Sequence, residues 1–231
     1  MSNVEAYAAD WVDFQHGELQ AVWPRHVRGR NIVEVGAAAG RNAPLLAGGS
    51  SYIGLDYDER AIRLGRAAGL QMEHQDLNDP ASVRSTAEVL RTADTILLLD
   101  VLEHLQDPRE ALANVLAAAG TGVRLLISVP NAVFVAARVE VLRGRFPRRD
   151  NGIFDRTHRA FFTADTLQND LLTVLPPGSC TLIPTSFPVT SRRLAALGGE
   201  TATTAARRTA AALAKRRPGL FCFEWLVVVD V

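Results

Sequence analysis

The stretch IVEVGAAAGRN, residues 32–42, followed by YIGLDYDERAI, residues 52–62, decides the fold of this chain. The first segment is a β-branched run that carries an acid, Glu34, close to its end and leads into a small-residue turn at 36–40. The second is another apolar run, and it ends in the acid Asp56. A small-residue turn lets the backbone approach a ligand closely, and an acid after the second strand can accept the hydroxyls of a ribose. The two segments therefore predict an adenosine-cofactor site in a parallel α/β domain.

Composition limits the chain to one well-packed domain. It has 231 residues, of which 48% are hydrophobic. That length suits one buried α/β core and is short for two ordinary domains. The 25 basic and 25 acidic residues balance, which argues against a nucleic-acid partner because such binding needs basic excess.

The cysteines and the apolar runs predict the compartment. Cys180 and Cys222 fit neither a zinc site nor a disulfide scaffold. The opening residues MSNVEAYAADW lack the basic and apolar regions of a secretory signal. No apolar run reaches the roughly 18 residues that a membrane span requires. We therefore expect a reduced, cytoplasmic protein with no membrane partner.

Strand-like and helix-like segments alternate up to residue 130. Predicted strands lie at 31–35, 51–55, 70–74, 95–99 and 123–129. Predicted helices lie at 43–47, 59–67, 81–92 and 108–119. Pro108 suits the first turn of the last of these helices, with Asp107 as its cap. Alternation of this kind indicates a parallel sheet covered on both faces.

The regular alternation of strands and helices ends after residue 130. Further helices are predicted at 132–143, at 163–174 with Thr163 as cap, and at 190–216, and strands at 179–187 and 221–231. Two closing strands around one connection predict an antiparallel pair at the sheet edge. We expect a single domain with a helical cap at 1–28, a cofactor-binding half at 29–130 and a substrate-facing half at 131–231.

The acid inside the first strand discriminates between cofactors. A nicotinamide site usually carries G-x-G-x-x-G, whereas this turn has Gly36 and Gly40 and continues with Arg41. An acid two residues before the first glycine is unfavourable beside a pyrophosphate and suits a cofactor with a cationic amine. S-adenosylmethionine (SAM) has an ammonium, a sulfonium and no phosphate.

On these residues the chain resembles class I SAM-dependent methyltransferases, and is similar to the broad group that contains quinone-biosynthesis O-methyltransferases. VEVGAAAG resembles the family's first motif, with Ala38 in place of the middle glycine. HQDLND, DTILLLDVLEHLQDP and LLISVPN resemble the adenine-binding segment and the fourth and fifth strands. The resemblance implies a single-domain Rossmann-like α/β fold with seven strands, helices on both faces and an antiparallel closing pair. It also implies SAM as cofactor.

The resemblance further implies a set of cofactor-binding residues. Asp56 would bind the ribose hydroxyls, and Asp76 the adenine amino group, with Leu77 packing nearby. The complete set is Glu34, Gly36, Ala37, Gly40, Asp56, Tyr57, Asp76, Leu77, Asp100 and Val101.

Two later segments resemble the acceptor side of the same group. If the turn after the fourth strand is helical, Asp100, Glu103 and His104 share one face, and His158 lies in FDRTHRAFFT. In some relatives of this group, including small-RNA 3′-terminal 2′-O-methyltransferases, residues at the matching positions can bind a divalent metal. The same sequence is also widespread without a metal, with Glu103 holding the turn and His104 lining the cofactor pocket. We expect that no metal is needed.

His158 is the predicted catalytic residue, as a general base or an orienting group, because an imidazole titrates near neutral pH. Asp155 could orient it, and the alternative is a histidine satisfied within a loop. Seven arginines between positions 138 and 159 could bind an anionic substrate or form a solvated surface with Asp150 and Asp155.

The predicted function is methyl transfer from SAM to an oxygen or nitrogen of a small-molecule acceptor, with secondary metabolism as one setting. One alternative is an RNA methyltransferase, against which the zero net charge counts. Another is a non-catalytic cofactor-binding protein. The sequence names neither the acceptor nor the oligomeric state.

Overall fold

The computed structural model describes residues 18–186, 204–206 and 208–231. At its centre is a seven-stranded sheet in the order β3-β2-β1-β4-β5-β7-β6. The strands are β1 Asn31–Val35, β2 Ser51–Asp56, β3 Gln71–His74, β4 Thr95–Leu99, β5 Arg124–Pro130, β6 Cys180–Ser186 and β7 Cys222–Asp230. The first five are parallel, and β7 runs antiparallel to both β5 and β6. The predicted sheet with its antiparallel closing pair is confirmed.

Helices connect the strands. The α-helices are α1 Glu18–Val22, α2 Glu59–Ala67, α3 Pro80–Ser85, α4 Ala87–Arg91, α5 Pro108–Ala118, α6 Val135–Leu142, α7 Ala164–Thr166 and α8 Pro218–Phe221. Residues 204–206 and 208–216 are also helical. The 3-10 turns are Trp23–His26, Ala43–Leu45, Leu102–His104 and Leu172–Val174, and Leu167–Leu171 is a π-helical turn.

Side-chain caps fix where several helices begin. The Asp107 carboxylate accepts the Glu110 amide at the start of α5. Thr163 and Thr166 form a reciprocal capping box at the start of α7. Each cap satisfies an amide that the helix itself leaves unpaired. Both predicted caps are therefore confirmed.

Three predicted helices differ from the structure. The segment 81–92 divides into α3 and α4 at Thr86, whose hydroxyl donates to the Val83 carbonyl and so competes with the helical bonding. The segment 163–174 forms α7 followed by π and 3-10 turns, and 43–47 is the 3-10 turn Ala43–Leu45. Of the helical segments predicted at 1–28 and 190–216, the parts 1–17 and 190–203 lie outside the described residues.

Apolar layers cover both faces of the sheet. One cluster includes Val33, Ile96, Leu125, Val227 and Leu112 of α5. The opposite cluster includes Ile32, Leu97, Leu126, Leu226 and Trp23. Neighbouring residues of one strand fall into different clusters because side chains alternate across a sheet. The two layers leave the carboxyl edge of the parallel strands to carry polar residues.

The cysteines lie at opposite ends of the β6–β7 ladder. Cys180 pairs with Val229, whereas Cys222 pairs with Ser186. The possibility that these two thiols are neighbours on paired strands is thereby excluded.

Candidate functional site

Asp56 closes the turn that follows β1. The amides of Gly36 and Ala37 donate to the Leu55 carbonyl at 2.8 and 3.0 Å. The Ala38 amide donates to Asp56 Oδ2 at 2.7 Å, and the Asp58 amide donates to Oδ1 at 2.9 Å. A carboxylate has about four acceptor positions. Each oxygen of Asp56 therefore keeps a second lone pair for a ligand.

The turn is left-handed at alternate residues. The φ angles are +73° at Gly36, +48° at Ala38 and +75° at Gly40. A Cβ at Gly36 would lie 2.4 Å from Val101 Cγ2, and one at Gly40 would lie 2.2 Å from Leu70 Cδ1. Glycine is thus needed at both positions for its backbone freedom and for close packing. Ala38 adopts a conformation that costs an L-residue roughly 1–2 kcal/mol.

Glu34 is buried beneath this turn. Its Oε1 accepts the Asn42 amide at 2.6 Å and its Oε2 accepts the Tyr52 hydroxyl at 2.6 Å. Burial raises the pKa of Glu34 to about 7, and the bonds from Tyr52 and Asn42 act in the opposite direction. The carboxylate ties the far end of the turn to β2. This geometry favours a turn-holding role for Glu34 over direct contact with an ammonium group.

The segment after β3 lies at the same edge of the sheet. Asp76 Oδ1 accepts the backbone amide of Asn78 at 2.8 Å, and the Asp76 amide donates to Ser82 Oγ at 2.9 Å. Leu77 is buried, whereas Tyr57 after β2 is 70% exposed. Asp76 is therefore set in a tight turn next to the end of β2.

Asp100 follows β4 and is bound to β5. It has a left-handed φ of +55°, and its Oδ1 accepts the Ser128 hydroxyl at 2.6 Å. Burial raises the pKa of Asp100, and the Ser128 bond lowers it. Glu224 on β7 is a second acid here, and its pKa is raised well above the usual range by burial and by the charge of Asp100. An acid within the apolar strand CFEWLVVVD was the signal that could have identified Glu224 from the sequence.

The helical face predicted for Asp100, Glu103 and His104 is wrong. The 3-10 turn begins at Leu102, and the left-handed Asp100 stands outside it. The ligand atoms of Glu103, His104 and His158 instead lie within 4.8 Å of one another. We refer to these three residues as the acceptor-side group. The Arg159 amide donates to the Glu103 carbonyl at 2.8 Å and so anchors the His158 loop to this turn.

The hydrogen-bond network assigns the tautomers of both histidines. His158 Nδ1 lies 3.1 Å from the Ile153 carbonyl, so it carries the proton. His104 Nδ1 lies 2.9 Å from Thr157 Oγ1, whose own proton goes to Asp155 at 2.5 Å. Thr157 therefore accepts from His104 Nδ1. Both Nε2 atoms carry a lone pair, and sequence reasoning did not foresee the Ile153 and Thr157 contacts.

Glu103 completes the acceptor-side group. It is 1% exposed, and neither carboxylate oxygen has a hydrogen-bond partner among the described residues. Its Oε1 lies 4.0 Å from His158 Nε2. Burial, then the charge of Asp100, raises the pKa of Glu103 well above its usual range. Burial also lowers the pKa of His104 and of His158. The group thus presents lone pairs to a common point, where a proton or a cation can be held.

A sequence model of the methyltransferase domain family matches residues 5–173, nearly three quarters of the chain. The chain is a SAM-dependent methyltransferase of that family. No curated protein matches the sequence.

Solved structures share the fold of this methyltransferase. A possible histamine N-methyltransferase from Thermotoga maritima has a TM-score of 0.65 at 14% identity, with 98% of this chain and 95% of that chain covered. A SAM-dependent methyltransferase from Archaeoglobus fulgidus has a TM-score of 0.61 at 15% identity, with 93% and 91% covered. Magnesium protoporphyrin IX methyltransferase from Synechocystis, with bound S-adenosylhomocysteine (SAH), has a TM-score of 0.54 at 16% identity, with 93% and 81% covered.

The residues of the methyltransferase fit its cofactor, SAM. The turn is tightly packed, because a Cβ at Gly36 or Gly40 would clash with Val101 or Leu70. The two remaining lone pairs of the buried Asp56 suit a ribose diol. SAM contains no pyrophosphate, so the site needs no basic side chain to bind one.

Proposed function

We propose that this methyltransferase moves the methyl group of SAM to an oxygen or nitrogen of a small-molecule acceptor. The observation that carries this proposal is the acceptor-side group of Glu103, His104 and His158, whose ligand atoms lie within 4.8 Å of one another and whose imidazoles each keep a lone pair on Nε2. Val101 packs against Gly36, so the segment that leads into this group adjoins the cofactor turn. The balanced charge of the chain supports a small acceptor over RNA.

We assign the cofactor contacts by position at the sheet edge. Asp56 is proposed to accept the ribose hydroxyls, and Asp76 the adenine amino group. The proposed lining of the cofactor site is Glu34 through the turn it holds, Gly36, Ala37, Gly40, Tyr57, Leu77, Asp100 and Val101. The location of all these residues at or near the carboxyl ends of β1 to β4 supports the assignment.

His158 is the proposed proton acceptor. The sulfonium of SAM supplies an already activated methyl group. Catalysis therefore consists of aligning the molecule that accepts the methyl group and removing the proton from its oxygen or nitrogen. The proton moves from the acceptor to His158 Nε2. The Ile153 carbonyl on Nδ1 favours the imidazolium that results, whereas burial lowers the pKa of His158 and so favours the neutral imidazole before the reaction.

The test uses His158→Ala with His26→Ala as the matched control, since the His26 carbonyl accepts a bond from Arg124 at the amino end of β5. Methyl transfer from radiolabelled SAM to a panel of phenols and amines should fall by about 10²–10⁴-fold in kcat for His158→Ala. Calorimetric affinity for SAH should be unchanged, and added imidazole should restore part of the rate. Wild-type turnover would refute the catalytic role. Loss of folding in both His158→Ala and His158→Gln would show that the residue is structural.

A second candidate is the same transfer to an acceptor held by a divalent cation. The specific observation is Glu103, a buried carboxylate with no hydrogen-bond partner in the described part of the chain, which is costly unless something compensates it. Both histidines already bind protein oxygens through Nδ1, the arrangement usual for metal-ligating imidazoles. The residues would fit Mn²⁺ better than Mg²⁺, because imidazole is not the preferred ligand of magnesium.

Calorimetry with Mn²⁺ separates the two candidates. If a cation holds the acceptor, Mn²⁺ should bind to the wild type and not to Glu103→Gln. Chelator should then abolish turnover, and Mn²⁺ should restore it. If no metal is needed, as predicted from the sequence, chelator should leave turnover unchanged and Mn²⁺ should not bind. The matched control is Glu110→Gln on α5, an exposed acid outside the site.

A further inference from the structure

One face beyond β5 combines exposed apolar side chains with arginines. The exposed fractions are 37% for Val139, 55% for Val141, 86% for Leu142, 53% for Phe146 and 37% for Phe161. We call this surface, formed by residues 138–149 and 156–161, the basic–apolar face. Monomeric proteins rarely leave apolar side chains exposed in a cluster without a use for them.

Ring contacts join Phe146 and Phe161 of this face to the acceptor-side group. The ring of Phe146 lies 4.9 Å from that of Phe154 and 5.5 Å from that of Phe161, centroid to centroid. The ring of Phe161 lies 6.3 Å from that of His158. The face therefore adjoins the acceptor-side group at His158.

Positive charge is concentrated on this face. The span 138–161 contains seven arginines, all exposed, against three acids, although the whole chain is neutral. One acid, Glu140, is shared by Arg143 and Arg145 at 3.9 and 2.9 Å, and Asp150 pairs with Arg156 at 2.8 Å. Four positive charges remain in excess of the acids.

We propose that the basic–apolar face docks the methyltransferase onto an anionic lipid surface. Arginines interleaved with exposed apolar groups match the two parts of such a surface, the charged headgroups and the acyl boundary beneath them. Surface docking of this kind departs from the sequence-based expectation of no membrane partner. No helix among residues 18–186, 204–206 and 208–231 is long and apolar enough to cross a bilayer. Delivery of an amphiphilic acceptor to His158 is a consequence that rests on the proposed function, whereas the docking does not.

Charge argues for lipid over two other occupants. A second copy of the same face would bring like charges together, which is unfavourable. Single-stranded nucleic acid binds mainly by stacking on aromatic rings, whereas the most exposed apolar side chain of this face is the aliphatic Leu142, at 86%.

The experiment is vesicle sedimentation of the full chain at about 0.1 M salt. Vesicles of phosphatidylcholine alone are compared with vesicles that also contain about 30 mol% phosphatidylglycerol. We expect binding only to the anionic vesicles and release at high salt. Each arginine near such a surface strengthens binding by about fivefold. The variant Leu142→Gln/Arg148→Gln/Arg149→Gln should therefore bind at least twentyfold more weakly.

The matched control changes the same residue types on α2, as Arg63→Gln/Leu64→Gln, both exposed, and it should bind like the wild type. Equal binding to both vesicle types, or no binding to either, overturns the proposal. So does retention at about 1 M salt, where the Debye length is near 3 Å. A dimer that the triple variant abolishes, or binding to a single-stranded RNA oligonucleotide without binding to vesicles, would assign the face to those partners instead. The lipid and salt dependence of the wild type decides the question even if the triple variant does not fold.

Discussion

The substitution Asp56→Ala should damage both the fold and the cofactor site. In the structure the carboxylate accepts the amides of Ala38 and Asp58 at 2.7 and 2.9 Å. It therefore joins the turn after β1 to the end of β2, independently of any ligand. Its free lone pairs are those proposed to accept the ribose hydroxyls.

The magnitude follows from these contacts. A hydrogen bond to a charged group contributes about 1.5–3 kcal/mol. Because the substitution removes two such bonds within the protein, the free energy of unfolding should fall by about 3–6 kcal/mol. Loss of two more bonds to the ribose should weaken SAH binding by at least 10²-fold, at roughly 1.4 kcal/mol per factor of ten.

Urea unfolding and calorimetry with SAH measure the two effects separately. Asp58→Ala is the matched control, because this exposed acid caps α2 by accepting the Arg60 amide at 2.8 Å. Its removal should cost only about 1 kcal/mol of stability and leave SAH affinity unchanged. If Asp56→Ala binds SAH as tightly as the wild type, the ribose assignment is refuted. If it is no less stable than Asp58→Ala, the turn-closing argument is wrong.

Two more predictions concern a buried acid and the thiols. Because burial raises the pKa of Glu34 from 4.5 to about 7, the folded state holds the proton more tightly than the unfolded state. The contribution of Glu34 to the free energy of unfolding should therefore be highest below about pH 4.5, fall by about 3 kcal/mol up to pH 7 and then level off. Urea titrations between about pH 5 and 8 should show this decline in the wild type relative to Glu34→Gln, and parallel curves would contradict it. Thiol counting on denatured, non-reduced protein should find both Cys180 and Cys222 reactive. The strand register separates these two residues by about 20 Å, well beyond the roughly 7 Å between Cα atoms that a disulfide can span. Finding neither thiol reactive would contradict this prediction.

The strands could be predicted because each is a short apolar run bounded by turn residues. The predicted limits 31–35 and 95–99 agree with β1 and β4, and 59–67 agrees with α2. Caps at Asp107 and Thr163 were also visible, since capping depends on residues within one turn of each other. Local sequence decides such features, so no tertiary information was needed.

The segment 81–92 and the turn after β4 differ from the prediction because side-chain contacts change the local preference. Thr86 ends α3, where its hydroxyl donates to the Val83 carbonyl and accepts the side chain of Gln75, which precedes the helix. The turn after β4 is set by the bond between Asp100 and Ser128 on the neighbouring strand. The helix propensities of neighbouring residues carry no information about contacts with Gln75 or Ser128.

By itself the sequence determined the family, the order of the elements and the acids at the strand ends, because these follow from periodicity and from residues close together in the chain. Only the tertiary structure decided what those acids and histidines touch. It bound Glu34 to Asn42 and Tyr52, placed Asp100 outside the turn that carries Glu103, and brought His158 to His104 across 54 positions of chain. Contacts of this kind depend on how strands and loops pack against one another, and that packing has no signature in the spacing of single residues.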